Sequence, residues 1–109
     1  MTNNNNSILG YHSKYHSKPT NCQLCMRKIS LTFHHLIPKK MHRRTFFRKT
    51  HTRDALNQGI WICRKCHSGL HKLFDEMTLA KQFNTLEKLK QNTAVQKHVT
   101  WVAKQKVTD

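Results

Sequence analysis

Acidic side chains are scarce in this sequence: five aspartates and glutamates face twenty lysines and arginines, a formal net charge of +15 with histidine neutral. Such an imbalance points to a polyanionic partner, with nucleic acid the leading class and a soluble basic surface or a ribosomal-type binding protein as the bland reading. Glycine and proline are also few, three and two in 109 residues. No run comes near the ~18 consecutive apolar residues of a membrane span. The opening stretch MTNNNNSILGYHSKYHSKPT has no apolar segment of the secretory type, so the expected location is the cytoplasm, away from membranes. Apolar residues are thin, at 37%, and the length suits one small domain. A domain of that size is marginal on its core alone and calls for a further staple.

What the chain does contain is metal-ligand chemistry in pairs. Cys22 and Cys25 form one Cys-x-x-Cys turn, and Cys63 and Cys66 form another. In a reducing compartment, paired cysteines bind metal more often than they form disulfides. Each turn presents two thiolates to one ion, and two turns complete the tetrahedron that zinc prefers. A closed four-cysteine site has no open position, so its expected role is structural, pinning an N-terminal knuckle to the start of a helix. CRKCH is also the attachment pattern of a c-type haem. That alternative requires export and leaves CQLC without a task, so zinc is preferred.

Residues 1–19 read as a disordered polar and basic tail, basic enough to touch a phosphate backbone. ISLTFHHLIPK, 29–39, is rich in β-branched and aromatic residues and reads as a strand that stops at Pro38; GIWIC, 59–63, reads as a second strand. The stretch between them reads as a long basic loop. From Arg64 the spacing turns helical, with Leu70, Leu73, Phe74 and Met77 on one face. A second helix is expected over 78–90, with Leu79, Phe83, Leu86 and Leu89 inward. A third is expected over 93–105, capped by Asn92, with Val95, Val99 and Val102 on one side. Trp61 and Trp101 read as core residues, and Phe46 with Phe47 as loop packing. The expected fold class is α+β: a tail over 1–19, a core over 20–77, and a helical extension over 78–109 packed on it.

The histidines divide into two sets. His67 and His71 stand four apart on the expected first helix and project from one face. Cys66, next to His67, lies about 100° away around that helix, so CRKCHSGLH can serve two ions. His34 and His35 are neighbours on a strand and point to opposite faces, which suits one ligand and one general base. A neutral imidazole takes a proton from water near neutral pH. His12, His16, His42, His51 and His98 have no partner at ligand spacing and read as surface residues or weak phosphate contacts.

HHLIP, an asparagine near the second strand, and CxxCHxxxH together resemble the HNH endonucleases over roughly residues 20–75. The resemblance implies a small ββα-metal finger, treble-clef-like, with zinc knuckles. It implies His35 as the general base that activates water, and a divalent ion (Mg, Mn, Ni or Zn) held by His34, His67 and His71. It implies Asn57 as the asparagine that orients the base, with Asp54 and Gln58 as rival counterparts and an ordinary turn residue as the bland reading. The reaction implied is hydrolysis of a phosphodiester in DNA, double-stranded by expectation, to 5′-phosphate and 3′-hydroxyl ends.

Lys39, Lys40, Arg43, Arg44, Arg48, Lys49 and Arg53 follow the expected base directly and read as phosphate contacts. Nothing resembles a base-reading array. The rival from another class is a zinc-stapled nucleic-acid-binding module without hydrolytic activity. Charge alone admits RNA as well as DNA.

Overall fold

The computed structural model describes residues 12–13 and 18–107. Its centre is a three-stranded antiparallel sheet in the order β1-β3-β2, with β1 at His12–Ser13, β2 at Leu31–His35 and β3 at Gln58–Cys63. The register of β2 on β3 pairs Leu31 with Cys63, Phe33 with Trp61, His34 with Ile60 and His35 with Gly59. The chain is therefore a mixed α/β protein with a small ββα-metal arrangement. Within the expected tail, the backbone of His12–Ser13 pairs with Gly59 and Gln58 on the other edge of β3; the rest of that stretch up to residue 17 lies outside the described residues.

Strand alternation sorts the side chains. His34, Ile60 and Ile62 turn towards the helices and are buried, whereas Phe33, His35 and Trp61 share the other face and are only partly covered. Before the sheet, Cys22–Cys25 forms a tight knuckle in which the Met26 amide donates to the Cys22 carbonyl at 2.9 Å. Met26 closes it with a left-handed φ of 68°.

The stretch 39–54 is not the loop expected. It folds as a 3-10 turn at Lys39–Met41 and a short helix α1 at Thr45–Thr50; α2 follows at Arg53–Leu56, its first turn capped by the Thr52 hydroxyl. The cause is a second small core in which Ile37, Met41, Phe47, Leu56 and Ala80 pack together. Those apolar residues are spaced too irregularly among the cations to show a period. Phe47 packs as expected, at 1% exposure, but Phe46 does not: it stands 54% exposed.

Helix α3 spans Arg64–Leu73 and stops there, although the spacing extended its apolar face to Met77. Phe74 is extended and stacks on Phe83 with ring centroids 4.3 Å apart. Asp75 then caps a new helix, α4 at Glu76–Gln82, by accepting from the Thr78 amide at 2.8 Å. Leu70 is buried, whereas Leu73 is exposed. The helix expected over 78–90 is likewise two, because Thr85 caps a fresh start for α5 at Leu86–Gln91. Helix α6, Thr93–Ala103, follows its expected form, with Asn92 accepting from the Val95 amide at 3.1 Å.

One main core joins these parts. Leu79, Leu86, Leu89, Val95 and Val102 of the C-terminal helices belong to the same apolar cluster as the four cysteines. Helix α6 lies on α3, and the notch between them is set by Gly69. A Cβ built there would fall 2.7 Å from the His98 Cε1 and closer still to its Nε2 and Cδ2. Trp101, expected in the core, is 53% exposed instead.

Candidate active site and metal centres

Two groups of metal-ligating side chains form at the start of α3. In the first, the sulfurs of Cys22, Cys25, Cys63 and Cys66 lie within 4.8 Å of one another, and all four residues are buried. The Cys25 and Cys63 sulfurs are 3.8 Å apart. A tetrahedron with ~2.3 Å zinc–sulfur bonds has edges of ~3.8 Å, so the spacing fits such an ion. The backbone amides of Cys25 and Cys63 each donate to the Cys22 sulfur at 3.3 Å.

Arg27 completes the surroundings of the thiols. Its Nε donates to the Cys25 sulfur and a terminal nitrogen to the Cys63 sulfur, both at 3.4 Å. Its other terminal nitrogen donates to the carbonyls of Gln105 and Lys106 at 3.2 and 3.3 Å. The Cys22 thiol is lowered to about 4, first by the hydrogen bond with Cys66, against the cost of burial, and then by the amides of Cys63, Cys25 and Leu24. That same bond, with burial, pushes the Cys66 thiol up. Thiols, amide donors and one inward cation together make a donor set suited to a closed metal site.

The second group is His34, His67 and His71, one ring nitrogen of each within 4.8 Å of the others. Ring centroids are 5.1 Å apart for His34 and His67, 5.5 Å for His34 and His71, and 5.1 Å for His67 and His71. His34 is 1% exposed, and its Nε2 is buried with no hydrogen-bond partner. A buried orphan of this kind costs about 1–3 kcal/mol, a cost that coordination removes. Burial, with the charges of His67, His71 and His35, lowers the His34 pKa to about 3. Burial, with His71 and Arg64, lowers that of His67 to about 4. Both rings are therefore neutral at physiological pH, the state that offers a lone pair to a metal.

Outer contacts fix how these rings face. The Thr32 hydroxyl donates to the Ile62 carbonyl at 2.9 Å, so its proton is committed. Its oxygen lies 2.8 Å from the His67 Nδ1 and must accept. His67 thus carries its proton on Nδ1, and its Nε2 lone pair is left for the cluster. On the other side, the Glu76 carboxylate stands 3.9 Å from the His71 Nδ1. Neither Thr32 nor Glu76 stood out in the sequence; Thr32 is two strand positions before His34, and only the register shows it facing α3.

His35 is the last residue of β2 and takes the opposite face, its ring 5.0 Å from Phe33 and 5.6 Å from His42. A Cβ on Gly59, its partner in the register, would meet the His34 carbonyl and come within 2.6 Å of the Phe33 ring, so this position has no room for a side chain. His42, expected as a surface residue or weak phosphate contact, lines a hollow with Arg43, Arg48 and Arg53 and has a fixed partner. It is half-buried, and its Nε2 lies 2.6 Å from the Ile37 carbonyl, which can only accept, so that nitrogen carries the proton. His51 and His98 are also held: the first by the Thr50 hydroxyl at 2.8 Å, the second by the Lys65 carbonyl at 2.9 Å.

Asn57 ends α2 immediately before β3, and its side-chain nitrogen donates to the Arg53 carbonyl at 3.1 Å. With Arg43, Arg48, Arg53, His42 and His51 it lines a hollow of about 560 Å³. Lys39, Lys40, Arg44 and Lys49 are exposed on the same segment but do not line that hollow. No helix among the described residues is long and apolar enough to cross a membrane.

Residues 22–73, the segment that carries both clusters, match the family model described as HNH endonuclease. The chain is 31% identical over 85 residues to an uncharacterized protein, YisB, of Bacillus subtilis (strain 168), covering 77% of this chain and 74% of that protein. No solved structure matches it. The motif, the two clusters of candidate metal ligands and the family match agree: the chain belongs to the HNH endonuclease family.

Proposed function

We propose that this protein is a metal-dependent endonuclease that hydrolyses phosphodiester bonds in DNA. The observation that carries the reading is the pairing of a three-histidine cluster, in which the His34 and His67 rings are held neutral, with a further histidine at the end of the strand that carries His34. His34, His67 and His71 would hold a divalent ion, and Cys22, Cys25, Cys63 and Cys66 a structural zinc. The divalent ion would supply charge stabilisation at the phosphoryl and leaving 3′ oxygens.

The chain's own residues do the rest. His35 takes the proton from water. A phosphate lying across the end of β2 is within reach of both strand faces, which is how two neighbouring residues serve one scissile bond. Asn57, next to the strand that pairs with His35, orients the base through its side-chain oxygen. Arg43, Arg48 and Arg53, with Lys39, Lys40, Arg44 and Lys49 around them, hold the DNA backbone.

Plasmid cleavage with added Mg or Mn tests this, wild type beside His35→Ala, with folding checked by circular dichroism and zinc content. Loss of a general base costs about 10²–10⁴-fold in rate. The expected result is cutting by the wild type, arrest by chelator, and a loss of that size in the variant. If neither protein cuts with any ion while both bind DNA, the chain is a zinc-stapled binding module.

A further inference from the structure

A concavity of about 320 Å³ opens beside the zinc-type cluster, and four cations line it: Arg27, Arg64, Lys65 and Lys106. No acid lines it, and among the described residues no carboxylate pairs with any of the four. Arg27 is turned inward onto two sulfurs and two carbonyls, so it forms the floor of the cleft. Arg64, Lys65 and Lys106 remain exposed around the rim. Arg27 is offset by the sulfurs and carbonyls it contacts, and the Lys65 ammonium lies 5.8 Å from the centre of the Trp101 ring. With no acid in the cleft, the repulsion left among the rim cations is relieved by an anion from outside.

The cleft borders the histidine cluster. Thr32 lines it, and the same Thr32 oxygen accepts from His67. It shares no residue with the hollow lined by Arg43, Arg48 and Arg53. The two basic surfaces therefore approach the candidate active site separately.

We propose that this cleft is a second backbone-phosphate subsite, in which Arg64, Lys65 and Lys106 hold a phosphate of the strand whose neighbouring phosphate sits at the histidine cluster. The inference rests on the nucleic-acid reading above but not on hydrolysis. A polynucleotide then spans the site with a basic grip on each side of it. Phosphate contacts of this kind position the substrate without reading sequence.

The test is equilibrium binding of a short DNA duplex across a salt series, with no added divalent ion. The proteins compared are wild type, R64Q/K65Q, K106Q and a charge-matched control, K88Q/K90Q, on α5 outside the cleft. Each lost phosphate contact lowers the slope of log K against log salt by ~0.9. R64Q/K65Q is expected to lower it by roughly 1–2 and to weaken binding about 10-fold at low salt. K106Q, which leaves the Lys106 carbonyl to Arg27, lowers it by about 1 and stands in if the double variant misfolds. An unchanged slope in both, or an equal drop in K88Q/K90Q, overturns the subsite. Calorimetric titration with inorganic phosphate separates the ligand source: tight binding abolished by R64Q/K65Q means a free-anion site and overturns the backbone assignment. A protein that never cuts DNA yet shows the expected slopes keeps this subsite while the nuclease reading fails.

Discussion

Replacing Gly69 with alanine should destabilise this protein, against the usual rule for a helix interior. Alanine in place of glycine there normally stabilises by about 1 kcal/mol. Here the added methyl overlaps the His98 ring, which lies in the notch between α3 and α6. To make room, the ring must leave, and its 2.9 Å hydrogen bond to the Lys65 carbonyl goes with it, a loss of about 1 kcal/mol. The displaced ring also gives up its packing in the notch, a further ~1 kcal/mol for a half-buried side chain. The costs exceed the propensity gain, and the net destabilisation is about 1 kcal/mol. Urea denaturation of zinc-saturated protein measures it as a lower midpoint at unchanged slope. The sharper assay is the double variant. With His98→Ala in place the notch is open, so Gly69→Ala should then stabilise by up to ~1 kcal/mol. A Gly69→Ala protein as stable as the wild type, or one whose effect is the same in both backgrounds, would refute the ring-in-notch account. Helix α3 carries Cys66, His67 and His71, so this notch also governs how firmly both clusters are held.

Three further outcomes are expected. Arg27→Leu removes the donors on the Cys25 and Cys63 sulfurs, and should lower zinc affinity roughly 10–100-fold, the usual effect of losing an outer contact; competition with a chromogenic chelator reads it, and retention equal to wild type counts against a role for Arg27 in holding the ion. Thr32→Val frees the His67 ring, and should weaken manganese binding at the histidine cluster by a similar ~10–100-fold while zinc at the cysteines stays bound; calorimetry on the zinc-loaded protein decides it. The third concerns pH. His34 and His67 are neutral in the fold down to about 3 and about 4 but protonate near 6.5 when unfolded. Their contribution is therefore complete above pH 6.5 and is lost as pH falls towards those lower values. The urea midpoint should drop with acid across that window, and drop less in His34→Leu. Equal slopes in the two proteins would count against the buried neutral ring.

Much of the site was legible because its chemistry is local. Two Cys-x-x-Cys turns, a histidine pair four apart and a doubled histidine on a strand each carry their geometry in their spacing, whatever surrounds them. Asn92 marked a helix start for the same reason, since an N-cap bonds an amide three residues on. The opposite faces of His34 and His35 followed from the strand period alone.

Tertiary structure decided what lies between distant residues. Arg27 reaches the carbonyl of Gln105, 78 positions away, and no spacing announces that bond. Thr32 selects the tautomer of His67 across a strand–helix interface, and His42 comes beside His35 through a turn whose apolar residues have no period. The breaks at Phe74 and Phe83 came from two aromatic rings stacking on each other, with Asp75 and Thr85 ready to cap the new helices. The candidate ligands could be picked out in the sequence because a ligand pattern needs only the backbone's own period. The partners that orient those ligands were decided by packing, which brings together residues that no local rule relates.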